Sequence, residues 1–165
     1  GKECSTEQNS FIKSKMGTFE AFANSSLADI YGEEQLKSAY HKEVFEFGSM
    51  YIENKGNGDF ELKLLPNEAQ MGPTLDFEIV DINKDGIDDV IGIGAIHETE
   101  VETIPYDANT GYILLGTNTG ELVPQRDINF YNNKNAKHIE KIFMNNSMYL
   151  LIANNNDDLT IFKEK

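Results

Sequence analysis

Oxygen-bearing side chains crowd one stretch of this chain: Asp81-Ile82-Asn83-Lys84-Asp85-Gly86-Ile87-Asp88-Asp89 puts four carboxylates and a carboxamide into nine residues. Carboxylates packed so closely repel one another unless a cation intervenes. Calcium, a hard ion that takes roughly six to eight oxygen ligands, suits such a set. Oxygens at alternate positions meet on one ion only if the chain curls around it, and Gly86 permits the sharp turn. On this pattern Asp81, Asn83 and Asp85 offer side-chain oxygens, Ile87 its backbone carbonyl, and Asp89 closes the site. Asp88 then faces away or stands behind the ligands. Magnesium fits less well, because it keeps several of its waters. A helix-flanked calcium loop would need a bidentate Glu where this chain has Gly92, and the flanks here are strand-like. The competing reading is a polar hairpin turn held by Asx hydrogen bonds, with no metal.

Other reactive residue types form weaker patterns. His97-Glu98 begins like a zinc-protease motif, but Val101 occupies the place of the second histidine. His41 and His138 are isolated in sequence and read as exposed helix or loop residues. No nucleophile elbow or phosphate-binding loop occurs. Glu98, Glu100 and Glu102 alternate along an expected strand over Glu98–Ile104, which reads as a solvated face. The enzymatic alternative is a glycan-active site built from these carboxylates with His97. Tyr106, Tyr112, Phe130 and Tyr131 fit core packing, with a sugar-stacking platform as the other reading.

The elements that must position these residues are mostly short strands. Before them the chain reads as helical: Thr18 caps a helix with Phe19, Phe22, Ala23 and Leu27 at helical spacing, Asn24-Ser25-Ser26 breaks it, and Gly32 ends the Leu27–Tyr31 turn. A second helix is expected from about Glu33 to His41. From Phe45 onward the period changes. Met50–Glu53 and Phe60–Leu64 flank an Asn57-Gly58 hairpin turn. Leu75–Val80 and Val90–Gly94 flank the acidic loop. Gly111–Gly116 and Thr119–Pro124 form a further hairpin, and Ile139–Met144, Met148–Ala153 and Leu159–Phe162 follow as short strands. Glycine turns at Gly56–Gly58 and Gly116–Gly120 repeat weakly before outgoing strands, as in a sheet unit used more than once. The expected fold class is all-β, with propeller-type blades over 45–165 and a small helical segment over 1–44.

Composition narrows the partners. The 165 residues carry 14 Lys plus Arg against 28 Asp plus Glu, a formal charge of −14. Such a surface repels phosphate backbones and anionic lipid, and attracts cations. No apolar run is long enough to span a bilayer. Cys4 is the single cysteine and has no intrachain partner. The start at Gly1 rather than Met reads as an excised or processed piece.

The stretch Val80–Ile91, followed by Gly92 and Gly94, resembles an FG-GAP/VCBS repeat, the blade unit of integrin α-subunit propellers. Tyr51–Gly58, Leu65–Gln70 and Tyr106-Asp107-Ala108 are similar to bacterial secreted propellers of the ASPIC/UnbV type. The likeness runs from Phe45 to Val123. It implies that the acidic loop joins two neighbouring strands of a blade and binds calcium structurally. With one full acidic loop, it implies two to three blades rather than a closed propeller. It further implies a secreted or cell-envelope protein, this chain being the C-terminal part of a longer one, which binds or adheres to a protein or surface glycan.

Overall fold

Alternation of apolar and polar residues, punctuated by residues that accept positive φ, decides where the strands begin and end. The computed structural model describes residues 1–126 and 129–164. The chain divides into two compact units, Gly1–Glu46 and Phe47–Lys165.

The first unit is helical. Five short helices follow one another: α1 (Lys2–Gln8), α2 (Ser10–Lys15), α3 (Phe19–Ala23), α4 (Leu27–Tyr31) and α5 (Glu33–Ser38). Side-chain caps satisfy backbone N–H groups that such short helices leave open. Asn9 accepts from the Phe11 amide at 3.0 Å and Thr18 from the Ala21 amide at 3.1 Å. Ser26 and Asp29 cap each other reciprocally, which holds the Asp29 carboxyl below its ordinary range. Ile12, Met16 and Ile30 form the buried centre, with Phe22 against it. Phe19 and Leu27, expected on the packed face, are exposed. The expected Glu33–His41 helix ends at Ser38, and Tyr40 and His41 lie beyond it in irregular chain.

Among the described residues, the second unit has nine antiparallel strands in three sheets. Strands β1 (Met50–Gly56) and β2 (Asp59–Leu64) pair as a hairpin. Its turn uses Asn57 at φ 54° and Gly58 at φ 87°, the primed geometry that Asn-Gly favours. One hairpin face carries Tyr51, Glu53, Lys55, Glu61 and Lys63, with Glu53 bridging both lysines at 2.8 and 2.7 Å. The other face carries Ile52, Phe60, Leu62 and Leu64, all exposed. Gln70 clamps the open end: it accepts from the Ser49 amide at 2.7 Å and donates to the Ser49 and Leu65 carbonyls. A 3-10 turn, Asn67–Ala69, precedes it.

Strands β3 (Asp76–Val80), β4 (Asp89–Ile93), β5 (Tyr112–Gly116) and β6 (Leu122–Pro124) form a four-stranded meander in chain order. Strands β7 (Ala136–Met144), β8 (Ser147–Asn154) and β9 (Thr160–Lys163) form a three-stranded one. Asn145 and Asn146, both at positive φ, make the β7–β8 turn. The main core lies between these sheets, where Ile91, Ile93 and Ile113 meet Ile139, Leu150 and Ile152. The opposite face of the four-stranded sheet buries Tyr112 and Leu114 against Ala69, with Leu65 and Leu122 alongside.

The edge of β3 faces the edge of β7 without a regular ladder between them. Carboxylates fill the gap: Asp76 accepts from the Ile139 amide at 3.0 Å and Glu78 from the Lys141 amide at 3.1 Å. Asp76 also pairs with His138, which thus belongs to β7 rather than to a loop. Burial works to raise the Asp76 carboxyl pKa, but bonds from Ile139, Phe77 and His138 outweigh it and the net shift is downward.

The strand expected over Glu98–Ile104 is absent. That segment is an irregular loop closed by the single bridge Ile96↔Tyr106. Local bonds replace a ladder: Thr103 N–H donates to the Glu100 carbonyl, and the Thr99 hydroxyl donates to the Thr103 carbonyl at 2.6 Å. Threonine hydroxyls compete with strand pairing in this way.

Candidate functional site

The acidic loop joins β3 to β4, two neighbouring strands of the meander. Its course follows from its own side chains. The Asp85 amide lies 3.0 Å from Asp81 Oδ1 and 3.0 Å from Asn83 Oδ1, so one N–H draws both oxygens to the same side. The Gly86 amide donates to Asp81 Oδ2 at 2.8 Å, and the Ile87 amide to Asp85 Oδ1 at 2.9 Å. These are Asx-type bonds, and they need the chain to reverse within a few residues. Gly86 at φ 88° and Lys84 at φ 62° supply the left-handed steps.

Asp89 differs from the others. It is fully buried at the start of β4. Its Oδ2 accepts from the Ile82 amide at 2.9 Å and its Oδ1 from the Gly116 amide at 2.8 Å. One carboxylate therefore fastens the loop's first turn to the end of β5. Asp88, its neighbour in sequence, points to the opposite side of the chain and is exposed.

Lys84 sits at the loop tip and turns outward to Glu164, Nζ to Oε1 2.7 Å. The hydrogen bond to Glu164 and its negative charge raise the Lys84 pKa, so the ammonium stays charged and engaged outside the loop.

The five residues expected to hold a cation are thus distributed unequally. Asp81 and Asn83 converge on the Asp85 backbone amide, the Asp85 carboxylate accepts from the Asn83 side chain and the Ile87 amide, and Asp89 is committed to two amides behind them. Among the described residues, no group of three or more His, Cys, Asp and Glu side chains is arranged to hold a metal ion. The donor set itself suits calcium, since every atom offered is a hard oxygen. A carboxylate has roughly four lone-pair positions, so Asp81 retains acceptor capacity beyond its two amide bonds. Asp85 is more encumbered, since its Oδ2 also takes a bond from the Asn83 amide at 2.9 Å.

The other residues weighed for chemistry do not converge on one centre. The Glu98 carboxylate receives Asn135 Nδ2 on both oxygens and Asn155 Nδ2 on Oε1, all at 2.7 Å. The bond from Asn135 leads in lowering its pKa, the reverse of what a general acid needs. His97 lines the same polar cleft as Glu98 and Asn135. Glu100 is turned instead to the Thr103 hydroxyl. Of the four aromatic residues, Tyr112 is buried with its hydroxyl 3.0 Å from that of Thr74, and Phe130 packs on Phe162 with centroids 4.7 Å apart. Tyr106 and Tyr131 are exposed.

Sequence reasoning did not find the Asp89–Gly116 tie, whose partners lie 27 positions apart, nor the Asn135–Glu98 bonds across 37. The one available signal was the Asp88-Asp89 pair at a strand start, where alternation must send one carboxylate inward. No helix among the described residues is long and apolar enough to cross a membrane. In comparisons with protein-family models, curated proteins and solved structures, nothing matches this chain.

Proposed function

We propose that this chain is a calcium-stabilised, extracytoplasmic module of β-propeller-type blades that binds a protein or a surface glycan, with the ion structural. The observation that carries the reading is the β3–β4 loop, where Asp81 and Asn83 turn oxygens onto the Asp85 amide and the Asp85 carboxylate lies against the Asn83 side chain. Meander sheets in chain order support blade-like units, and their number supports two to three blades. Asp81, Asn83, Asp85 and the Ile87 carbonyl would hold the ion, and Asp89 would brace the loop behind them. The ion would neutralise the crowded carboxylates and hold two strands in register. Binding exchanges the Asn83–Asp85 side-chain bond for coordination.

Thermal unfolding in calcium, in magnesium and in chelator tests this. A ligand that binds only the folded state stabilises it by about 2.7 kcal/mol at a hundredfold excess over its dissociation constant. The expected result is a calcium-specific rise in Tm that disappears in Asp85→Ala. No rise at millimolar calcium would reduce the loop to a polar turn and remove the basis of the reading.

A further inference from the structure

The carboxylate that the acidic loop turns outward, Asp88, stands on the rim of a cleft of about 640 Å³. The cleft lies within the second unit, between the base of the β1–β2 hairpin and the outer face of the four-stranded sheet. Its walls are chiefly apolar: Leu65, Phe77, Ile79, Val90, Tyr112 and Leu122. The Tyr51 hydroxyl bridges the hairpin to the sheet by donating to the Gly120 carbonyl at 2.6 Å, which fixes one end. Phe77 and Ile79 remain about half exposed there, at 55% and 46%. A volume of this size falls within the range of sites that take small molecules or peptide side chains, about 300–1,000 Å³.

Charge selects the occupant. Among the described residues, Asp88 and Glu121 are the charged ones lining the cleft, and no Lys, Arg or His lines it. Neither carboxylate has an ion-pair partner among the described residues, whereas Glu53, Glu61, Glu68 and Glu78 all have one. The nearby ammonium of Lys63, 5.6 Å from the centre of the Tyr51 ring, is held on the hairpin's charged face by Glu53. The cleft therefore offers an apolar floor with two unneutralised negative charges at its edge. On a chain of net charge −14, an anionic occupant would be repelled.

We infer that this cleft binds a basic, amphipathic peptide segment, an aromatic or large aliphatic side chain entering the floor while an adjacent Lys or Arg meets Asp88 and Glu121. The inference deepens the proposed binding function by naming the partner's chemistry, and it rests on that reading. It also links the two features of the loop. Ile87 and Asp88 form one wall of the cleft, so whatever orders the loop shapes the wall.

The test is a titration of the full chain with acetyl-Phe-Arg-amide, followed by amide NMR shifts, beside acetyl-Phe-Glu-amide and acetyl-Gly-Arg-amide. Expected are saturable shifts at Gly116, Thr117, Gly120 and Leu122 with the Phe-Arg probe. The Phe-Glu and Gly-Arg probes should bind at least about ten-fold more weakly. Asp88→Asn/Glu121→Gln, which alters only exposed side chains, should weaken the Phe-Arg probe about five-fold and flatten its salt dependence. Equal binding of the Phe-Glu probe, shifts clustered elsewhere, or an unchanged affinity in the double variant would overturn the inference. Calcium stabilisation without peptide binding would overturn it while leaving the calcium reading intact. Peptide binding without calcium stabilisation would do the reverse.

Discussion

Replacing Asp89 by Asn is the most direct probe of what holds the acidic loop to its sheet. The carboxylate is fully buried and accepts one backbone N–H on each oxygen, at 2.9 and 2.8 Å. Asn keeps one acceptor and turns an NH₂ group toward the other amide. One charge-assisted bond is lost, about 1.5–3 kcal/mol, and a donor is left facing a donor, about 1–3 kcal/mol more. Removing a buried charge returns part of this, because an ionised group in the interior carries a desolvation penalty. The net expectation is a loss of about 2–4 kcal/mol. Asp89→Ala, which strands both amides, should lose at least as much. The assay is urea unfolding followed by far-ultraviolet circular dichroism, with chelator present so that metal binding does not enter. Losses under about 0.5 kcal/mol for both variants would refute the assignment of Asp89 as the fastening between loop and β5.

Gly94→Ala places a Cβ against the Pro73 carbonyl oxygen and the Leu75 amide nitrogen, both backbone atoms that cannot rotate away. It should cost about 3 kcal/mol in chemical denaturation, and wild-type stability would refute the packing described there. Lys55 and then Lys63 hold the Glu53 carboxyl at about 2, so its contribution is present above the unfolded value and lost as pH falls toward 2. A carboxyl-carbon NMR titration should show that low midpoint and an upward move in Lys63→Met; an ordinary midpoint in the unmodified chain would count against the ion-pair geometry. Ile152→Ala, at a fully buried position between the two larger sheets, should lose about 2–5 kcal/mol by the same assay. A loss below about 1 kcal/mol would place the core elsewhere.

What the sequence revealed was chiefly what depends on near neighbours. The Asn57-Gly58 turn was legible because few residues tolerate positive φ, and the Thr18 cap because its partner is three residues away. Alternation located β3, and short apolar runs located β4, β7 and β8, to within a few residues. The same alternation misled at Glu98–Ile104, where threonine side chains closed local turns and no partner strand was available. Phe19 and Leu27 shared a helical spacing with Phe22, yet Ile12, Met16 and Ile30 took the buried positions, since which face packs depends on the neighbouring helices. In the acidic loop the oxygen-rich pattern was plain. The separate task of Asp89 was hidden because its partner, Gly116, comes from another hairpin.

The topology of the second unit bears on how it folds. Among the described residues every paired strand has as its partner the one beside it in sequence, so each sheet grows by local pairing, through tight turns except for the long connection between β4 and β5. Distant segments meet chiefly where β7 settles beside β3, a joining made by Asp76 and Glu78 in place of a ladder. That docking closes a longer stretch of chain than any hairpin within a sheet, and so costs more loop entropy. It also falls at a seam of side chains rather than of backbone pairing, so the two meanders can form separately before the interior closes.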